Sequence, residues 1–426
     1  MEKQLEMMKE KLRAIGAYPL KAEAELSTRI LKDRLEQVLS WAMAEAGVDF
    51  WAVIARENHE DPLHKTLYTW DMPLARRVSI MIFCRDAASG EVEKYYLGMA
   101  CPSMTAVYKN PLQKGESVWD AAARLVKEHD PKAIAVNRSR LSGFCDGISS
   151  TLYEQFKEAI GEYADRVVDG EGVSLRWLER VTPLEIEVMK VFTEITQDVV
   201  KACFSRDVIT PGVTTTDDVS WAMRDLFHSL GVHFWFGPDV NFQRKGSSSV
   251  MTEGVIQPGD LLHCDIGFYG TFVKLYTDIQ WVGYVLGEEE TEAPAELQDL
   301  LDQGNRFRRI VMDNMEIGLT GNQVFMAAME SAQAAGLRPW LYSHTVGTFG
   351  HGAGPVIGMY DNQGFVPGKG ELKLEADMVY ALELNVCDDL ACWDGQTVYM
   401  YIEENICQEK DRVYYLAEQQ KKLILI

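Results

Sequence analysis

Apolar residues recur along this chain with two periods, near 3.6 and near 2, and the two periods alternate in blocks. Ile30, Leu31, Leu35, Val38, Leu39 and Met43 fall at helical spacing in TRILKDRLEQVLSWAMAEAG. An amphipathic helix is therefore predicted from an N-cap at Ser27 to a stop at Gly47, after a charged leader. RRVSIMIFCRD and EVEKYYLGMA flank AASG and read as a strand pair with a short turn. WDAAARLVKEHD, PKAIAVNRS and SSTLYEQFKEAIG then read as helix, strand and helix, which predicts an α/β domain over residues 1–173.

A second domain, residues 174–426, is predicted to open with VTPLEIEVMKVFTEITQDVVKACF. Thr182 and Glu185 have the spacing of a capping box, and Pro183 stands at the first helical position. Another helix follows PGVTTTDDVSWAMRDLFHSLG, and two more surround GLTGNQ, with Thr320 as the cap and Gly336 as the stop. Between and after them lie four strand-like runs, DLLHCDIGFY, TDIQWVGYVL, DMVYALELNV and TVYMYIEENI. There is no tandem repeat and no low-complexity linker.

Each of those four runs carries an acid where a strand is expected to be apolar: Asp265, Asp278, Glu383, and Glu403 or Glu404. One such acid alone reads as a strand end facing solvent or as half of a salt bridge. Four in order, with a histidine-bearing stretch YSHTVGTFGHGAGP before the third, fit that reading poorly. Desolvating a bare carboxylate costs several kcal/mol unless it is paired or bound to metal. A set of carboxylates with one imidazole suits Mn²⁺, Co²⁺, Fe²⁺ or Zn²⁺.

Composition narrows the partners. With 64 acidic and 42 basic residues the net charge is −22, which disfavours nucleic acid and anionic membranes. The N-terminal MEKQLEMMKEKLRAIG has no signal-peptide core, and no run approaches the roughly 20 apolar residues of a membrane span. The eight cysteines are dispersed and form no CxxC pair, as expected of reduced thiols in a cytoplasmic protein. Glycine-rich GTFGHGAG lacks the Lys-Ser/Thr or GxGxxG context of a phosphate cradle. The aromatic cluster HFWFGPDVNF reads equally as substrate-pocket wall or as core.

HCDIG, a TD ending thirteen residues after its aspartate, His-x2-Gly-x3-His, MVYALEL and YIEE together resemble the metal-site series of the creatinase, prolidase and methionine aminopeptidase superfamily. The resemblance covers roughly residues 175–410 and implies an α+β pita-bread catalytic domain behind a creatinase-like α/β N-terminal domain. PGVTTTDDV is also similar to the family's PGVTE segment. Carried over, it implies a metallopeptidase of Xaa-Pro aminopeptidase or Xaa-Pro dipeptidase type acting on peptides or dipeptides. Two divalent ions, Mn²⁺ foremost, would be held by Asp265, Asp278, His344, Glu383 and Glu403. Asp265 would chelate one, His344 and Glu383 the other, and Asp278 and Glu403 would bridge them around a shared hydroxide, with Glu383 as general base. The family also implies a homodimer.

Two registers compete for the histidines. TFGHGAG places His351 in the family's GHGIG at face value, but seven residues further on stands Gly358 instead of the second family histidine. Starting at His344, the series His344, Gly347, His351 and Pro355 follows the family spacing more closely. His344 is then the ligand and His351 the residue that contacts substrate or the tetrahedral intermediate.

The sequence also departs from the family. Two extra residues separate Asp265 from Asp278, Gly352 replaces the acid after the second histidine, and Asp278-Ile279-Gln280-Trp281 lacks the usual arginine. Tyr401 stands where many prolidases have the arginine of RIED. Ser247, Ser248 and Ser249 occupy the region of an upstream family histidine, leaving His233, His263 or Arg244 to substitute. The alternatives are a creatinase-like enzyme cleaving another C–N bond and a non-catalytic binding module.

Overall fold

In the structure, a computed structural model describing residues 2–99 and 101–426, the chain forms two units. One is Ala24–Leu184; the other combines the residues up to Glu23 with Glu185–Ile426. In Ala24–Leu184, β1 (Phe50–Arg56), β2 (Val78–Arg85), β3 (Val92–Leu97), β4 (Ile134–Val136) and β5 (Val167–Asp169) form one sheet in the order β3-β2-β1-β4-β5. β2 and β3 are the antiparallel pair expected around AASG. Ala100, the last residue of the second expected strand, lies outside the described residues. β1, FWAVIAR, is buried at every position but its last, so it lacks the alternation that marks a half-exposed strand. Helices Val118–His129 and Ser150–Ile160, each capped by a serine side chain, pack Leu125, Val126, Leu152 and Phe156 into the same core.

Ser27 is not an N-cap. Its helix runs from Leu20 to Gln37, and from mid-helix the Ser27 hydroxyl donates to the Ala24 carbonyl at 2.8 Å. Ala24 and Leu26 continue the buried stripe upstream, so burial overrides the local capping preference. The helix breaks at Val38, resumes over Leu39–Glu45 and ends before Gly47, where φ is +67°. The charged leader is itself a helix, Glu2–Ala14, with Met8 and Leu12 buried. Lys11 on it bonds Asp198 at 2.8 Å, and the helix belongs with Glu185–Ile426.

That second unit contains β6 (His233–Phe234), β7 (Asp239–Gln243), β8 (Leu261–Ile266), β9 (Phe268–Tyr269), β10 (Ile279–Tyr284), β11 (Pro339–Thr345) and β12 (Val356–Ile357). β13 (Met378–Leu390), β14 (Gln396–Gln408), β15 (Val413–Tyr415) and β16 (Ile424–Leu425) complete it. Apart from the β6–β9 pair, these make one sheet in the order β12-β11-β13-β14-β10-β8-β7, with β15 on β14 and β16 on β10. Period-two alternation sorts β13 and β14 into two faces. Leu382, Leu384, Val386, Met400, Ile402 and Ile406 enter a core shared with helices Ala295–Asn314 and Gly321–Ala334. The intervening residues, Glu383 and Glu403 among them, project from the opposite face. Capping boxes at Thr215 with Asp218 and at Thr320 with Gln323 start two helices, and the helix beginning at Pro183 runs to Cys203.

Candidate metal centre

The sheet register assembles the cluster. Tyr342 on β11 is paired with Glu383 on β13, Glu383 with Glu403 on β14, Glu403 with Gln280 on β10, and Gln280 with Asp265 on β8. Directly opposed residues share a face, so one rung across five strands carries three acids, a glutamine and a tyrosine. His344 lies two residues past Tyr342 and Asp278 two before Gln280, so both project from the same face one rung away. Asn405, on that second rung, fixes the Asp278 backbone by donating to its carbonyl at 2.8 Å and accepting its N–H at 3.2 Å.

Distances complete the picture. One ligand-type atom from each of Asp265, Asp278 and Glu403 lies within 4.8 Å of the other two, and the same holds for His344, Glu383 and Glu403 and for Asp278, His344 and His351. His344 Nε2 is 3.6 Å from Asp278 Oδ2. On its other side, His344 Nδ1 is 3.1 Å from the Thr345 carbonyl oxygen. Because a carbonyl only accepts, Nδ1 carries the proton and Nε2 presents a lone pair to the cluster. Among the described residues, His344 Nε2, Asp265 Oδ1 and Glu403 Oε1 are buried without a hydrogen-bond partner. Such orphaned lone-pair atoms are costly in a protein interior and are what a cation would satisfy, so the residues present fit divalent metal.

The electrostatics agree. Burial, reinforced by the neighbouring carboxylates, raises the carboxyls of Asp265, Asp278 and Glu403 well above the usual range. Burial brings Glu383 up to about 7. Burial and the nearby His351 lower His344 to about 3, which keeps its imidazole neutral.

Every residue singled out for the site is thus in one cluster, and adjacent glutamates are told apart. Glu404 points to the other face, where it accepts from Trp281 Nε1 at 2.9 Å and lies 3.6 Å from the buried Arg308. His351 stands at the exposed edge, its ring centroid 4.7 Å from that of His344. The Gly352 N–H bonds the Thr345 carbonyl at 2.7 Å, and a Cβ at Gly352 would sit 2.5 Å from that oxygen. This close approach explains why no acid follows His351. Trp235, from the aromatic cluster, packs edge-on to His351 at 5.1 Å, so this member of HFWF walls the site.

Of the three substitutes for the upstream histidine, Arg244 is bonded twice to Asp260 at 2.7 Å, and His233 pairs with Thr271 away from the acids. Only His263 adjoins the centre: its Nε2 is 2.9 Å from Gln280 Oε1, and Gln280 donates to Glu403 at 3.1 Å. Gln280 and Asn405 are the residues sequence reading missed as site members. Their signal is polar side chains on buried strands, visible only once the register shows which acid each one faces.

The profile of metallopeptidase family M24 matches residues 187–409, more than half of the chain. No curated protein sequence matches it. An X-Pro aminopeptidase from Thermotoga maritima superposes with a TM-score of 0.63 at 16% identity, covering 89% of this chain and 98% of that one. A Xaa-Pro dipeptidase from Bacillus anthracis gives 0.58 at 16%, covering 94% and 100%. The N-terminal domain of the FACT complex subunit SPT16 from chickpea, Cicer arietinum, gives 0.56 at 14%, covering 93% and 98%. At such identities these likenesses speak for the fold, an α/β N-terminal domain with a pita-bread domain behind it. Together with the profile match over the strands that carry the acid cluster, they lead to one conclusion: the chain belongs to metallopeptidase family M24.

Proposed function

We propose that the chain is a dinuclear exopeptidase of Xaa-Pro aminopeptidase or Xaa-Pro dipeptidase type, with Asp265, Asp278, His344, Glu383 and Glu403 as ligands and Mn²⁺ as the first candidate metal. The observation that carries this is the convergence of five ligand side chains, three with orphaned lone-pair atoms, on one face of the sheet. Divalent cations held by these residues would offset the carboxylate charge and supply Lewis acidity towards a peptide carbonyl and a water. Glu383 takes the proton of the attacking water and returns it to the leaving amine, a role favoured by its position inside the cluster. His351, neutral and at the edge, donates to the developing oxyanion. Trp235 packs edge-on against the His351 ring. A homodimer and a cytoplasmic location belong to the same reading, the first by family resemblance, the second by the eight free cysteines.

Metal analysis of the purified protein tests this, followed by chelator-sensitive cleavage of dipeptides and longer peptides with and without proline second. About two ions per chain and chelator-sensitive cleavage are expected. No bound metal at saturating concentration removes the reading. His344→Ala is expected to lose metal; His351→Ala is expected to keep it and lose on the order of 10² in kcat. An exchange of those phenotypes reverses the histidine assignment. Gel filtration at micromolar concentration checks the dimer.

A further inference from the structure

The acid cluster takes up one end of the polar face, and the next two rungs carry aromatic side chains. Trp340 pairs with Asn385 and Asn385 with Tyr401; one rung on, Cys387 pairs with Tyr399. These positions lie two or four residues from Tyr342, Glu383 or Glu403, so they follow on the same face in steps of about 7 Å. With Tyr360 and Arg338 they line a cavity of about 580 Å³, within the range of small-molecule sites and larger than one side chain. The cavity thus begins one rung, about 7 Å, from the rung that carries Glu383 and Glu403.

Its walls define what fits. Trp340 and Tyr360 meet edge to face with centroids 5.4 Å apart, and Tyr399 and Tyr401 stack at 6.1 Å. An aromatic guest completes such arrangements. Among the described residues no carboxylate lines the cavity, so a lysine or arginine side chain entering it meets no ion-pair partner on the walls themselves, although aromatic faces alone attract cations weakly. Arg338, the one cation among the described lining residues, is bonded to Asp389 at 3.1 Å, which offsets part of its charge towards an acidic guest. Tyr401, at the arginine position of RIED, removes a second cation from this wall.

We propose that this cavity is the specificity subsite for a large uncharged aromatic side chain, so that the substrates are peptides with phenylalanine, tyrosine or tryptophan next to the scissile bond. The inference rests on the peptidase reading above for its link to cleavage, while the binding preference stands apart from turnover. Two measurements on the metal-loaded full chain separate them. The first is calorimetric titration with the amides of L-phenylalanine, L-alanine and L-lysine. The second is kcat/KM for peptides that differ only in carrying Phe, Trp, Ala, Lys or Glu on either side of the bond.

Aromatic probes and substrates are expected to exceed their alanine counterparts at least about tenfold, a conservative figure for a ring against a methyl group. Trp340→Ala is expected to collapse that ratio towards one through KM, and Trp340→Phe to restore much of it. Tyr360 is 66% exposed, so Tyr360→Ala provides a variant whose folding is not at risk. Tight aromatic binding without cleavage of any peptide removes the peptidase reading and leaves the subsite. Equal binding of the three amides, preference for lysine, or a ratio unmoved by both alanine variants overturns the subsite.

Discussion

Glu403 and Glu404 are chemically identical neighbours whose environments differ because a strand turns successive side chains to opposite faces. Glu403→Gln removes a proposed ligand oxygen from the buried acid cluster. It is expected to abolish metal binding and turnover while leaving the chelated protein folded. Glu404→Gln leaves Arg308 buried beside a neutral amide and is expected to cost roughly 3–5 kcal/mol of stability with metal content retained. Metal analysis and thermal unfolding of both variants check the pair; equal metal loss in both would contradict the facing described. Either glutamate satisfies the sequence pattern, and only the pairing of Glu383 with Glu403 shows which faces the acids. The histidines divide similarly. Spacing in the sequence identifies both His344 and His351, but the loop closure at Gly352 that sets their rings side by side depends on a backbone contact no periodicity reports.

At the scale of elements, what could be read early was what local chemistry controls. Thr320 with Gln323 caps a helix, Gly336 ends it at φ +80°, and the four acid-bearing runs are strands. What escaped depended on distant packing: the start at Leu20 instead of Ser27, and β1, whose two buried faces erase its alternation. The longer connection between Asp265 and Asp278 is a further case. Glu23, from the helix Leu20–Gln37, accepts the backbone N–H groups of Phe272 and Val273 at 2.9 and 3.1 Å, clamping the middle of that connection. Glu23→Ala uncaps those groups at a cost of about 1–3 kcal/mol. Because the clamped segment joins two proposed ligands, metal affinity is expected to fall roughly tenfold, by analogy with other supporting contacts around metal sites. Isothermal titration with Mn²⁺ measures this, and an unchanged affinity shows that the clamp serves the loop alone.

For the whole molecule, the buried acids predict a pH response. Glu383 titrates near 7 in the metal-free fold against an ordinary 4.5, and Asp265, Asp278 and Glu403 are shifted the same way. A raised folded pKa contributes stability that is complete below the unfolded value and lost as pH rises through the folded one. His344, lowered from 6.5 to about 3, has the opposite sign, its contribution complete above 6.5 and lost as pH falls. Above 6.5 the acids alone continue to act. The Tm of chelated protein is therefore expected to fall as pH rises above 6.5 through the Glu383 value of about 7, while the rise in Tm on adding Mn²⁺ grows in the same direction. A pH-independent metal effect would count against carboxylate ligation.

The rung that joins five strands has a further consequence. Gln280 and Glu403, in contact, are 123 residues apart in the chain, and the five strands come together only after long loops have closed. A slip of one residue in any pairing turns that strand's proposed ligand to the helix-covered face. A chain that is still folding, or misfolded, therefore lacks the assembled cluster that could hold a metal. The register acts as a safety catch: hydrolytic capacity arises only in molecules whose sheet has closed correctly, and metal occupancy marks a finished fold.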